Sequence, residues 1–343
     1  MVKYSFTTVS INKNGLISYS SIKSVKQKNV YLNNRLLNLF GLGIKLEMIY
    51  VTAGQFIMGA SIKEERLSHY LKNEKMILFP VLRDLILQET PQHKVSLKPF
   101  YMSKFCITQE QYEFIMGNNP SRSKNEKKPV EQVSWFDATE FCKILSSKIG
   151  VTFSLPSESQ WEYACRANTT TPFYCGETIT PELAGAVHIV DIYETKMKFG
   201  QFNPNAFGLH DMHGSVWEWC ADEWHNDYVE APKNGDVWLK GDNKYSPVRG
   251  GPLYSIDKDA FFESHNNYIK KITKNKVLST KPIISLALGH AFLSLSNTID
   301  PNDKSYCFPS FARSACRGKN ERKNCSYDVG FRIVTNHDLD LYL

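Results

Sequence analysis

The sequence predicts an α+β domain with little regular secondary structure and long, tryptophan-rich loops. Two observations support this fold class. Three short helical segments, each opened by a serine or threonine with a polar partner three residues later, lie in the first half of the chain. From Thr169 almost to the end, neither helical nor strand periodicity persists, and turn residues and aromatics dominate.

The helices are predicted from capping boxes, in which the first and fourth residues satisfy each other's backbone amides. The pairs are Thr108 with Gln111, Ser134 with Asp137, and Ser157 with Gln160. Gly150 is expected to end the second helix, because glycine adopts the left-handed conformation that closes a helix.

Short strands are predicted near both ends of the domain. Residues 47–51 and 54–59 alternate in polarity and predict a hairpin with a glycine turn. Residues 328–334 predict a buried strand that returns to this hairpin. A few helices, short strands and long tryptophan-rich loops together fit a C-type-lectin-like architecture.

Composition limits the class of protein. The 343 residues are 42% hydrophobic and 13% aromatic, which is enough apolar surface to build a sizeable core. Residues 1–45 contain seven lysines and arginines and no carboxylate, although the net charge of the chain is only +6. We predict a basic leader or small strand pair at 1–45, one main domain at 46–336 and a tail at 337–343.

Several functional classes are disfavoured. No clustered basic motif with base-reading groups indicates nucleic-acid binding. The apolar run 283–295 is shorter than the roughly 20 residues that span a bilayer, and the first residues lack the apolar core of a signal peptide. We expect a cytoplasmic protein without nucleic-acid or membrane partners. The eight cysteines lack Cys-x-x-Cys spacing, so buried thiols are expected instead of a zinc site.

Ordered sequence blocks carry a resemblance to a known family. The run 205–219 contains Gly214-Ser215-Val216-Trp217-Glu218-Trp219 and is followed by Arg249-Gly250-Gly251. With 155–164 before it and Gly330-Phe331-Arg332 after it, this order resembles the formylglycine-generating-enzyme, or sulfatase-modifying-factor, family. The resemblance covers about residues 45–335 and implies the C-type-lectin-like fold.

The resemblance also implies a copper site, which this sequence lacks. Family enzymes use two cysteines after Arg-Gly-Gly to bind Cu(I) and oxidise a substrate cysteine, because soft thiolates suit this ion. Here those positions hold Ser255 and Ala260, neither of which supplies sulfur. Cys307 is a remote candidate for a replacement donor.

A structural calcium ion is a second expectation from the resemblance. The family is implied to bind it through an Asn of a Gly-Asn-x-Trp-Glu-Trp run and the carboxylate that follows. The candidate ligands here are Ser215, Val216 and Glu218, with serine in place of the asparagine. Oxygen ligands of this kind suit a hard cation.

The resulting functional hypothesis is a catalytically silent family member that recognises a protein or small ligand. An insertion at 252–311 lies where the family's binding surface is expected, and the candidate surface residues are Trp224, Trp238, Tyr254, Phe261 and Phe262. One alternative is a copper-dependent oxidase that forms formylglycine from a cysteine of a target protein. Another is a decaying copy without a selected role.

Overall fold

The computed structural model describes residues 6–11, 17–20, 29–30, 46–60, 87–177, 179, 186–188, 200, 202–251, 253–257, 305–308 and 312–337. In the strands at 6–11, 17–20, 29–30, 186–188, 253–257 and 305–308 it describes the backbone. Three helices lie wholly within these ranges: α1 (Gln109–Met116), α2 (Trp135–Ile149) and α3 (Glu158–Arg166). The strands of the amino-terminal part are β1 (Phe6–Ile11), β2 (Ile17–Ser20), β3 (Asn29–Val30), β4 (Leu46–Val51), β5 (Gly54–Met58), β6 (His93–Leu97) and β7 (Phe100–Ser103). Those that follow α3 are β8 (Ala186–His188), β9 (Trp217–Trp219), β10 (Tyr245–Arg249), β11 (Leu253–Asp257), β12 (Ser305–Phe308), β13 (Gly318–Glu321), β14 (Val329–Gly330) and β15 (Val334–Thr335).

The three predicted helix starts are confirmed. Each capping serine or threonine accepts the backbone N–H three residues later, and each partner side chain reaches back to the cap. Gly150 ends α2 in the left-handed conformation, at φ 80°. The buried face of α2 includes Phe141, whose ring stacks on Tyr112 and meets Phe331 edge-on. Local capping therefore fixes where the helices begin and end, and aromatic packing positions α2 in the core.

The predicted hairpin between 47–51 and 54–59 is wrong. β4 pairs with β1 on one edge and with β7 on the other, inside a six-stranded sheet of order β15-β7-β4-β1-β2-β3. A strand has two edges for backbone hydrogen bonds, so none remains for β5. β5 pairs with β6 in a separate two-stranded sheet.

The predicted strand at 328–334 is divided between two sheets. β14 pairs in parallel with β9, in the four-stranded sheet β13-β10-β9-β14. β15 pairs with β7, next to β4, so the chain returns to the amino-terminal strands as expected. Between these two short strands lies Arg332, which is completely buried.

Two clusters of buried side chains form the interior. One surrounds α2 and includes Phe141, Trp219 and Phe331; the other surrounds α3 and includes Trp161 and Leu209. The loop 203–220 contributes residues to both clusters, which places it between the two halves of the core. Among the described residues, no helix has the length and apolar character needed to cross a membrane.

Candidate functional site

The central loop 203–220 is held to helix α3 by one buried side chain. The amide group of Asn205 donates to the carbonyls of Ala164 and Cys165, at 2.7 and 3.2 Å. Its oxygen accepts the backbone N–H groups of Phe207 and Leu209, at 3.0 and 3.1 Å. An irregular buried loop needs partners for its backbone groups, and Asn205 satisfies two loop amides while it binds two carbonyls of α3.

Glu218, the carboxylate expected to bind calcium, forms a bidentate ion pair with Arg332. The Nε and Nη2 atoms of Arg332 lie 2.6 and 2.8 Å from the two carboxylate oxygens. The indole N–H of Trp161 donates to Glu218 Oε2 at 2.7 Å, and Cys106 Sγ lies 3.1 Å from Oε1. Both oxygens are therefore already bound by donors, one of which carries a full positive charge.

The calcium prediction does not fit this arrangement. A guanidinium at hydrogen-bonding distance occupies the side of the Glu218 carboxylate where a cation would bind, and two cations there would repel each other. Ser215 is buried, with its backbone at φ 73°. Within the described ranges, no three His, Cys, Asp or Glu side chains are grouped so that they could hold a metal ion. Ser215, Val216 and Glu218 instead form part of the packed interior.

A second network of buried ion pairs surrounds Arg249, the first residue of the Arg-Gly-Gly run. Its Nη1 lies 3.0 Å from Glu158 and its Nη2 lies 2.5 Å from Glu162. Arg317 forms a bidentate pair with Glu158, at 2.6 and 2.9 Å. Burial alone would raise the pKa of Glu162, but Arg166 and Arg249 hold it below its usual value. Glu162 therefore stays charged, and the two carboxylates of α3 tie β10 to the segment 312–317 through Arg249 and Arg317.

The double-glycine turn packs directly on two tryptophan rings. Gly250 has φ 72°, a conformation that favours glycine, and a Cβ there would lie 2.7 Å from the Trp161 ring. A Cβ on Gly251 would lie 2.5 Å from the Trp217 ring. Larger residues would therefore displace the rings, which explains the need for two glycines before β11 begins.

The strand register places the expected copper positions. Ser255 in β11 lies opposite Cys307 in β12 and, on the other side, opposite His188 in β8. The remote candidate Cys307 is thus brought next to the position of the first family cysteine, while Ala260 lies outside the described residues. A hydroxyl and a methyl group replace the two expected sulfurs, so the residues present do not fit the family's two-sulfur Cu(I) site.

The seven cysteines with described side chains all have raised thiol pKa values. Burial is the main cause that raises the thiol pKa of every one, and for Cys142, Cys165 and Cys316 the value is about 12. The other four, Cys106, Cys175, Cys220 and Cys325, shift in the same direction. These thiols are therefore mainly protonated at neutral pH in the absence of a metal ion.

His213 is a buried histidine with both ring nitrogens satisfied. Its Nδ1 donates to the carbonyl of Ala312 at 2.6 Å, and its Nε2 accepts the backbone N–H of Tyr174 at 2.9 Å. Burial lowers the pKa of His213 to about 3, so the ring is neutral. The histidine therefore holds Ala312, the first residue after the 252–311 insertion.

The predicted binding surface is only partly at the surface. Trp224 is 2% exposed and lies under the guanidinium of Arg317, so its assignment to a binding surface was wrong. Trp238 is half-buried and stacks on the His225 ring at a centroid distance of 3.6 Å. Its neighbours Val237 and Leu239 are exposed.

The other candidate surface residues have no described side chains. Tyr254 lies in β11, opposite Phe308 of β12, where the backbone is described. Phe261 and Phe262 lie outside the described residues, as does most of the 252–311 insertion. Their proposed role in binding therefore stays a prediction.

Sequence reasoning missed the buried ion pairs. Glu162 and Arg249 are 87 residues apart, and Glu218 and Arg332 are 114 apart, so no local pattern joins them. The available signal was weak: charged residues inside otherwise apolar runs, such as Glu162 beside Trp161 and Arg332 beside Phe331. Charged residues are rarely fully buried unless they are paired, so burial of these two would have implied partners.

Comparisons with known proteins agree with the geometry. A model of the sulfatase-modifying factor enzyme 1-like domain matches residues 44–337. A formylglycine-generating enzyme of Thermomonospora curvata is 31% identical over 34% of this chain and 41% of its own length. A protein of Paenibacillus barcinonensis described as chaperone protein LppX is 29% identical over 45% of this chain and 72% of its own. The chain thus spans less than half of that formylglycine-generating enzyme.

Solved structures support the same fold. The structure of PvdO from Pseudomonas aeruginosa superposes with a TM-score of 0.56 at 23% identity, over 84% of this chain and 94% of PvdO. The predicted α+β, C-type-lectin-like fold is confirmed by this likeness and by the scarcity of regular elements. With nearly the whole length from 44 to 337 matched, the chain belongs to the formylglycine-generating-enzyme, or sulfatase-modifying-factor, family.

Proposed function

We propose that this chain is a catalytically silent member of its family and acts as a recognition module for a protein or small ligand. The supporting observation is the chemistry at the two positions expected to hold copper, where Ser255 and Ala260 offer no sulfur. The scaffold that holds the preceding turn is complete, because Arg249 pairs with Glu158 and Glu162. Loss of the donors with retention of the scaffold favours a role in binding.

The surface for recognition is formed by elaborated loops. The segment 224–239 presents Val237 and Leu239 to solvent beside the half-buried ring of Trp238. Exposed aliphatic side chains around an aromatic ring are typical of protein contact sites. The 60 residues from 252 to 311, with Tyr254, Phe261 and Phe262, extend the candidate surface along the chain.

The proposal is tested by copper loading. The purified protein is mixed with Cu(I) under anaerobic conditions, and oxidation of a cysteine peptide is then followed by mass spectrometry in the presence of oxygen. We expect substoichiometric copper and no aldehyde product, with a formylglycine-generating enzyme as the positive control. Stoichiometric copper and oxygen-dependent aldehyde would overturn the proposal and favour the copper-dependent oxidase.

A gain-of-function variant sharpens this test. Directly opposed residues of antiparallel strands have Cα atoms about 4.5–5.5 Å apart, and position 255 lies opposite Cys307. The Ser255→Cys variant should therefore bind Cu(I) about a hundredfold more tightly, because two thiolate ligands would replace one. The matched control, Ser255→Cys with Cys307→Ser, should lose the gain. An unchanged affinity in Ser255→Cys would contradict the assignment of position 255 as the donor position.

A further inference from the structure

The β5–β6 sheet has an outer face that is rich in lysine. The strands alternate, so that Val95 and Leu97 point into the core while Lys94, Ser96 and Lys98 are exposed. Ile57 of β5 lies opposite Lys94 and is 49% exposed. The backbone of Lys233 extends the sheet by one more segment, because its carbonyl accepts the N–H of Ser96 at 2.8 Å. We call this surface, formed by Ile57, Lys94, Ser96, Lys98 and Lys233, the lysine ribbon.

The three lysines of the ribbon have no carboxylate partner within the described part of the chain. Other surface lysines do, such as Lys104 with Glu47 at 2.7 Å and Lys323 with Glu321 at 3.0 Å. The nearby Asp236 is engaged by the side-chain amide of Asn234 at 2.6 Å. Lys94 and Lys98 project from the same face, and the backbone of Lys233 lies beside Ser96, so this surface carries positive charge that an anionic partner would complement.

We propose that the lysine ribbon binds an acidic, partly aliphatic segment of a partner protein. This inference rests on the proposed recognition function and names the chemistry of the partner. Lys94 lies in β6 and Lys98 directly follows its last residue; four residues of extended chain span about 13 Å, which matches carboxylates four residues apart on an extended segment. The exposed side chain of Ile57 lies beside Lys94 and offers an aliphatic contact.

The aliphatic contact favours a protein over a nucleic acid. Single-stranded nucleic acids bind surfaces that combine basic groups with aromatic rings for base stacking. The residues of the lysine ribbon are lysine, serine and isoleucine, without an aromatic ring among them. An extended segment with glutamates four residues apart and an aliphatic residue midway between them has all three side chains on one face, which matches both the lysines and Ile57.

The test uses fluorescence anisotropy with a labelled twelve-residue peptide that repeats Glu-Ser-Val-Ser, so that glutamates and valines share one face of the extended chain. We expect the full-length protein to bind it, with affinity that falls about tenfold between low and high salt. The variant K94E/K98E/K233E should bind at least about tenfold more weakly. The matched control K127E/K143E/K323E has the same change in charge at other exposed lysines, and should stay within about twofold.

Three results would overturn the inference: no binding by the unaltered protein, equal losses in both triple variants, or tighter binding of a twelve-residue oligothymidylate than of the peptide. Equal melting temperatures of the two triple variants show that each is folded. The copper assay separates this inference from the proposed function. Aldehyde formation with intact peptide binding defeats only the silent role, whereas a silent protein without peptide binding defeats only the ribbon.

Discussion

The charges around Arg249 and those of the lysine ribbon are treated in opposite ways by the fold. In the interior, the guanidinium of Arg249 meets two carboxylates at 3.0 and 2.5 Å, and Arg317 adds a bidentate pair to one of them. On the ribbon, Lys94, Lys98 and Lys233 face water without a described counter-charge. Basic side chains therefore have different roles in the interior and on the surface of this domain.

The difference follows from desolvation. A buried ion is stable only when other charges and hydrogen bonds replace its water, and the buried carboxylates Glu158, Glu162 and Glu218 are each paired with an arginine. An exposed ammonium keeps its water and can stay unpaired at little cost. Paired interior charges hold the fold, and unpaired surface charges are available to a partner molecule.

Breaking the interior network should have the largest effect. Replacing Arg249 by alanine leaves Glu158 and Glu162 short of a counter-charge and should lower the free energy of unfolding by about 3–5 kcal/mol. Urea denaturation measures the loss. The control is Lys143→Ala at the exposed pair with Glu140, expected to cost less than about 1 kcal/mol. If R249A does not fold, Arg249→Lys keeps the charge without the fork geometry and should fall between the two.

Equal effects in R249A and K143A would contradict the distinction between buried and exposed charges. The same comparison can be made with Glu218→Gln. That variant keeps the shape of the side chain but removes the charge that faces Arg332.

Alanine substitutions of Trp224 and Trp238 should differ clearly in their effect on the free energy of unfolding. Trp224→Ala removes a buried ring and should cost about 3–5 kcal/mol of unfolding free energy. Trp238→Ala removes a half-buried ring that stacks on His225, and should cost about half as much or less. Chemical denaturation of both variants checks this order. A larger loss in Trp238→Ala would contradict the assignment of Trp224 to the core.

Acid should weaken the interior through His213. Its pKa is lowered by burial to about 3, so between pH 3 and its unfolded value near 6.5 the unfolded chain binds the extra proton. Stability from this group is complete above pH 6.5 and is lost as the pH falls, by at most about 1.4 kcal/mol per pH unit. Urea denaturation from pH 7 to pH 5 measures the slope. His213→Asn should show a shallower slope, and an equal slope would contradict the role of this ring.

Calcium should have the smallest effect. A ligand at about a hundred times its dissociation constant stabilises a fold by about 2.7 kcal/mol. Because Arg332 already occupies the carboxylate of Glu218, we expect calcium and a chelator to give the same melting temperature within about 1 °C. A calcium-dependent rise of several degrees would restore the calcium hypothesis for Ser215, Val216 and Glu218.

The parts of the fold that depend on near neighbours could be predicted from the sequence. The box of Ser134 and Asp137 lies within four residues, and the structure has it as expected. The predicted hairpin between β4 and β5 was wrong because β4 pairs with β1 and β7, which lie far away along the chain. Strand pairing is a tertiary choice that alternation in one segment does not fix.

The candidate site was predictable in its chemistry and not in its contacts. The missing sulfurs at Ser255 and Ala260 could be read directly from the sequence. The pairing of Glu218 with Arg332 could not, because these residues are 114 positions apart. Burial of Trp224 was missed for the same reason, since exposure depends on the residues that cover a side chain.

The residues that flank the 252–311 insertion are held next to each other by hydrogen bonds. Arg249 donates to the carbonyls of Ser314 and Ala315, and His213 donates to that of Ala312. The chain therefore leaves the domain and re-enters it at neighbouring positions. Changing the length of a loop whose ends already meet costs little free energy. Segments of different length and sequence could therefore replace residues 252–311 without a change in the domain interior.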